Sequence, residues 1–151
     1  MTIRFCALLK ALTVILVFAV PAVSPTASAA DGPKLAMQGY DTVAYFTDAR
    51  PTKGKPEFSH VWDGERYEFA SASNRDRFAQ NPERYAPQFP GYCAAALTRG
   101  EHVVPDPQNW VIIDGKLYLF GKAIGPALFR ENPTLAKQAD GNWARMRKSA
   151  K

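Results

Sequence analysis

Glu57-Phe58-Ser59-His60-Val61-Trp62-Asp63-Gly64-Glu65-Arg66-Tyr67-Glu68-Phe69 is the stretch from which the fold is read. Two runs of alternating character flank Asp63-Gly64, the strongest short-range signal for a β-hairpin with a two-residue type I′ turn. In that register Trp62 opposes Glu65, His60 opposes Tyr67 and Phe58 opposes Phe69. Because successive strand residues point to opposite faces, Phe58, His60, Trp62, Tyr67 and Phe69 share one face. Glu57, Ser59, Val61, Arg66 and Glu68 share the other. The aromatic face is the one to bury, which turns His60 into an aromatic layer.

Working outward, Ser71 is placed to cap a helix running to about Gln80, and Asn81-Pro82 offers the N-cap and first position of a short turn over Glu83 to Tyr85. Ala86 to Gly91 contains Pro87 and Pro90 and reads as a loop delivering Tyr92-Cys93-Ala94-Ala95-Ala96-Leu97. A second hairpin is expected around Asp114-Gly115. Its strands, Trp110 to Ile113 and Lys116 to Phe120, are apolar on both faces, which predicts a central place in the sheet. Asn132-Pro133 then opens a final amphipathic helix carrying Leu135, Ala136, Ala139 and Trp143. Arg145, Arg147, Lys148 and Lys151 lie at its end, where cations suit the helix dipole. Upstream, Gly39 to Phe46 is a short apolar and aromatic segment and residues 47–56 form a loop rich in Pro, Lys and Gly. No repeat, low-complexity tract or internal linker interrupts this order. The fold class is α+β: a small single domain with two β-hairpins in an antiparallel sheet packed against short helices.

Composition agrees with one domain. The chain has 151 residues, 46% of them hydrophobic, 12% aromatic and 22% charged. That excludes a disordered tail, a collagen-like fibre and a disulfide-stapled miniprotein. The net charge of +5 suggests nucleic acid or a membrane surface until it is located. Arg4 and Lys10 lie within the first 29 residues, which hold no acid; the remainder carries 17 basic against 14 acidic residues. An excess of that size without a basic run is an ordinary water-facing surface, so no nucleic-acid partner is expected.

Residues 1–29 read as a cleaved signal peptide. Arg4 and Lys10 form a positive n-region, Ala11 to Val20 is apolar apart from Thr13, and Ala27-Ser28-Ala29 is an A-x-A cleavage pattern. The apolar run is shorter than the roughly 20 residues that span a bilayer, so no stable membrane span is expected after cleavage. With no Arg-Arg pair, the signal is of the Sec type and the destination periplasmic or secreted. The organisation is then signal peptide 1–29, flexible leader 30–38, α+β domain 39–144 and basic C-terminal tail 145–151. An uncleaved N-terminal anchor is the alternative. Cys6 leaves with the signal, so Cys93 is the one cysteine of the mature chain and forms no internal disulfide.

Hydrolase, nucleotide-binding and zinc-finger motifs are missing: there is no G-x-S-x-G, phosphate-cradling glycine loop, C-x-x-C or H-E-x-x-H. The soft ligands are Cys93, His60 and Met37, with Met146 far along the basic end. Thiolate with imidazole suits zinc, and thioether added to them suits Cu(I). His60 is the better partner for Cys93, because His102 lies in the polar loop of residues 99–107. Tyr40, Asp41, Trp62 and Tyr92 are candidates to support or line such a site. Against this stands the plainer reading in which His60 is a core residue and Cys93 a small packed hydrophobe.

The motifs together resemble a known family. Gly39-Tyr40-Asp41-Thr42-Val43-Ala44-Tyr45-Phe46, Glu57-Phe58-Ser59-His60, the run from Phe69 to Phe78, Asn81 to Pro87 and Gly91-Tyr92-Cys93 are similar to the exported, single-domain branch of YHS-domain proteins. The similarity continues through Asp114 to Tyr118 and Ala139 to Trp143. The resemblance implies a fold of the YHS and TRASH type and an association with metal handling. Metal-associated members typically read F-C-S-x-x-C after the hairpin; the two cysteine positions here are Ala70 and Asn74, and neither supplies a thiolate. A metal site has to be built around Cys93 and His60 instead.

The leading reading is an exported, monomeric, non-enzymatic binding module, with copper or another soft transition metal as its cofactor and a metal-handling protein or small ligand as its partner. The alternatives are a thiol or redox enzyme using Cys93, with His60 lowering its pKa, and a ligand- or protein-interaction domain in which Cys93 is merely packed. On the export reading, N-terminal sequencing and intact mass of the exported protein are expected to show a chain beginning at Ala30 or Asp31. Retention of Met1 to Ala29 contradicts it.

Overall fold

The computed structural model describes residues 32–149; the expected signal peptide lies outside the described residues. Strands β2 (Lys55–Trp62) and β3 (Glu65–Phe69) pair antiparallel with Trp62 opposite Glu65 and His60 opposite Tyr67. Asp63 and Gly64 both take left-handed backbone angles, φ 48° and 78°, as a type I′ turn requires. Beyond Ser59 the register shifts, and Lys55 rather than Phe58 stands opposite Phe69. Pro56 lies in the shifted stretch, where it has no N–H to give the ladder, so the regular alternation ends there.

A further difference concerns the outer face. Glu68, expected in solvent, is buried. Residues 34–38, expected as part of the flexible leader, explain why: β1 (Lys34–Leu35) pairs parallel to β3, giving the strand order β1-β3-β2, and the turn Ala36–Gly39 follows. This brings Gly39 against the Glu68 carboxylate, which accepts a hydrogen bond from Arg66 at 2.5 Å. A buried carboxylate is tolerated when it is paired in this way.

Helix α2 (Ala72–Gln80) starts where Ser71 Oγ accepts from Asn74 N–H, and α3 (Pro82–Tyr85) starts where Asn81 Oδ1 accepts from Arg84 N–H. Helix α2 lays Phe78 onto the aromatic face of the hairpin. The Phe78 ring is fully buried, 4.7 Å from Tyr67, 5.0 Å from Phe69, 5.9 Å from His60 and 6.0 Å from Trp62. Trp62 and Phe58 are half-buried, not enclosed, because β2 is the edge strand of its sheet.

The second hairpin, β4 (Asp106–Ile113) and β5 (Lys116–Phe120), forms a separate two-stranded sheet. Its two apolar faces have two different partners. Val111, Tyr118 and Phe120 face a core shared with α4 (Ala94–Leu97), α5 (Gly125–Glu131) and α6 (Thr134–Ser149). Leu117, Leu119, Trp110 and Ile112 face Tyr45 of α1 (Ala44–Thr47). Tyr45 joins the two halves: its ring meets Trp110 edge-on at 5.2 Å and its hydroxyl donates to the Pro107 carbonyl at 2.9 Å. Burial pushes this phenol well above its ordinary pKa, so it stays a donor. Arg145, Arg147 and Lys148, assigned to a tail, continue α6.

Phe78→Ala is expected to cost about 3–5 kcal/mol in urea unfolding, since a fully enclosed ring is lost and a cavity is left. Trp62→Ala, at an edge, is expected to cost less. A Phe78 loss below about 1 kcal/mol contradicts the packing described.

Candidate functional site

The polar centre of the first half is Asp41, a fully buried carboxylate. Asp41 Oδ1 accepts from Val43 N–H at 2.8 Å and Ala44 N–H at 3.2 Å, satisfying the free amides at the start of α1. Asp41 Oδ2 accepts from Ala70 N–H at 2.8 Å and Asn74 Nδ2 at 2.7 Å, tying that helix to the end of β3 and the first turn of α2. Four donors on one carboxylate make the anion tolerable in an apolar surround. Next to it Thr42 is also fully buried, yet its hydroxyl has no partner among the described residues.

Positions 70 and 74 are the two at which the resemblance implies thiolates. Both now turn an N–H toward one oxygen, Asp41 Oδ2. Donors aimed at an anion are the inverse of what a cation needs, and the one anionic group present already has its acceptor sites engaged. Among the described residues no three His, Cys, Asp or Glu side chains are grouped to hold an ion. The residues at this position do not fit a metal.

Cys93 and His60 stand in different cores. His60 is half-buried on the Phe78 ring beside the hairpin. Cys93, 6% exposed, belongs to the core under β4 and β5, where its Sγ accepts from Gly121 N–H at 3.2 Å and its backbone N–H donates to Val103 O at 2.7 Å. The other proposed neighbours are also dispersed. Tyr40 lies under the Lys53 ammonium and its hydroxyl accepts from Gln108; Asp41, through its four hydrogen bonds, is the latch between α1, β3 and α2; Trp62 packs on Tyr67 and Phe78. Tyr92 stacks on His102 with centroids 4.0 Å apart and meets Trp143 edge-on. Neither histidine lines the space beside Cys93, so a Cys-His nucleophile lacks its base there.

That space is a cavity of about 300 Å³ between α4, β5 and α5. Cys93, Ala96, Phe120 and Gly125 are its buried part. Helix α5 comes close to the sheet at Gly125, where a Cβ would lie 2.4 Å from the Phe120 ring. The mouth carries Val103 (43% exposed), Ile124 (60%) and Leu128 (38%), three of the six exposed large apolar side chains among the described residues. Two cations join them, Arg99 and Lys122. The Arg99 fork is engaged by both Glu101 oxygens, at 3.0 and 2.6 Å, and this bond raises the pKa of the guanidinium and lowers that of the carboxyl. Sequence reading singled out Cys93 alone of these residues. The apolar pair Val103-Val104 inside a polar loop was the available signal for the rest.

The described residues thus form a small α+β domain in which the fully buried Asp41 carboxylate ties the first hairpin to two helices. Residues 43–89 match the family model of the YHS domain, and the chain is a YHS domain-containing protein. The match covers α1, both strands of the first hairpin, α2 and α3. It ends before Cys93 and the cavity. No curated protein and no solved structure matches the chain.

Asp41→Ala is expected to cost about 3–5 kcal/mol, because it leaves four donors in or near the core without their acceptor. Thr42→Val removes an unpartnered hydroxyl at nearly constant shape and is expected to be neutral or stabilising by about 1 kcal/mol. Urea unfolding of the two variants side by side checks both; equal losses contradict the latch.

Proposed function

We propose that the chain is an exported, non-enzymatic binding module whose ligand occupies the cavity between α4, β5 and α5. Export is supported by the n-region, apolar run and Ala27-Ser28-Ala29 pattern of the first 29 residues. The observation that carries the binding reading is the coincidence of a concave apolar space with an exposed apolar rim. A cavity of about 300 Å³ is at the small end of ligand pockets. Large apolar side chains left in water around its mouth are accounted for when a bound molecule covers them.

Binding needs no chemistry from Cys93. Its Sγ is one wall atom, held by the Gly121 amide, while Ala96 and Phe120 supply the apolar interior and Val103, Ile124 and Leu128 close over the entrant. Soft-metal handling by Cys93 with His60 draws no support from their placement in separate cores.

The neutral fluorophore N-phenyl-1-naphthylamine is expected to bind the chain saturably with one site and enhanced emission. Val103→Trp, which fills the mouth from an exposed position, is expected to abolish that signal without lowering thermal stability. Enhancement that does not saturate, or that survives Val103→Trp unchanged, overturns the reading.

A further inference from the structure

We infer that the cavity selects a small amphipathic anion, a short aliphatic monocarboxylate, with Lys122 as its headgroup contact; this rests on the binding reading above. The argument is one of charge complementarity. Of the two cations at the cavity, Arg99 is already neutralised by Glu101 through two hydrogen bonds. Lys122 is exposed and forms no ion pair with a carboxylate among the described residues. No Asp or Glu lines the cavity; the Glu101 carboxylate beside it is taken up by Arg99, and Lys122 has no such partner among the described residues. The net field at the mouth is therefore that of one unneutralised ammonium.

Depth sets the orientation. The interior presents Ala96, Phe120 and the Cys93 sulfur, and the Gly121 N–H beside them already donates to that sulfur. A carboxylate pushed inward would lose its water and gain no donor, which is costly. The same carboxylate at the mouth keeps its hydration and meets Lys122 while its chain fills the apolar interior. A space of about 300 Å³ holds roughly ten water-sized groups, which limits the ligand to a chain of about eight carbons with its headgroup outside. Because Lys122 is exposed, its contribution is that of a surface ion pair, a preference of about fivefold that weakens with salt.

The test uses displacement of N-phenyl-1-naphthylamine from the full chain by octanoate and by 1-octanol, which share the tail and differ in the headgroup charge. In Lys122→Gln, octanoate is expected to lose about fivefold in potency while 1-octanol is unchanged; high ionic strength is expected to reproduce that loss in the parent chain. If octanoate is equally potent against Lys122→Gln, or both competitors weaken together, the anion inference falls and the cavity reading stands. If the fluorophore fails to bind, or binds Val103→Trp as well as the parent, both fall.

Discussion

The Asp41 carboxylate is the constraint on which the first half of the molecule depends. It is fully buried, and an anion in that position is stable only while its donors hold still around it. Those donors come from three places: the first turn of α1, the residue after β3, and a side chain on α2. One group therefore sets where α1 begins and how α2 leaves the hairpin. The aromatic layer follows from this, because the exit of α2 lays Phe78 on Tyr67 and Phe69. The fixed start of α1 likewise aims Tyr45 at the second sheet.

The same latch joins positions 70 and 74, where the family resemblance implies thiolates, through hydrogen bonds instead. A metal ion shared by thiolates cross-links strand end and helix through coordination, and a carboxylate receiving N–H groups cross-links the same elements through hydrogen bonds. The two solutions have opposite polarity. Ala70 contributes only its backbone, and Asn74 contributes a donor. The resulting centre is closed, with both carboxylate oxygens engaged.

The second half holds a cavity because its sheet has only two strands. A two-stranded sheet with apolar side chains on both faces needs covers on both, and Tyr45 with its neighbours takes one side. On the other, the four residues of α4, the seven of α5 and the long α6 share the work. Gly125 lets α5 press onto Phe120, but short helices leave a gap beside Cys93 and Ala96. The cavity is the space that this incomplete covering leaves.

Much of the local structure was legible from residues whose conformational demands are intrinsic. Asp63-Gly64 and Asp114-Gly115 take the left-handed angles of tight turns, and Ser71 and Asn81 cap the helices that follow them. Alternation named the face on which His60 meets Phe78. The partners of those faces were not legible, because an apolar face specifies that it is covered and not by what. The doubly apolar β4–β5 hairpin reads equally as the centre of one sheet or as a separate sheet between two cores. Glu68 and Lys34–Leu35 were misplaced for a related reason: pairing of a two-residue strand comes from backbone groups that every sequence carries. Turn, cap and strand periodicity were thus determined by the sequence itself. The separation of His60 from Cys93, the four-donor latch on Asp41 and the cavity under α5 were decided by tertiary structure, since each depends on segments far apart in the chain meeting in space.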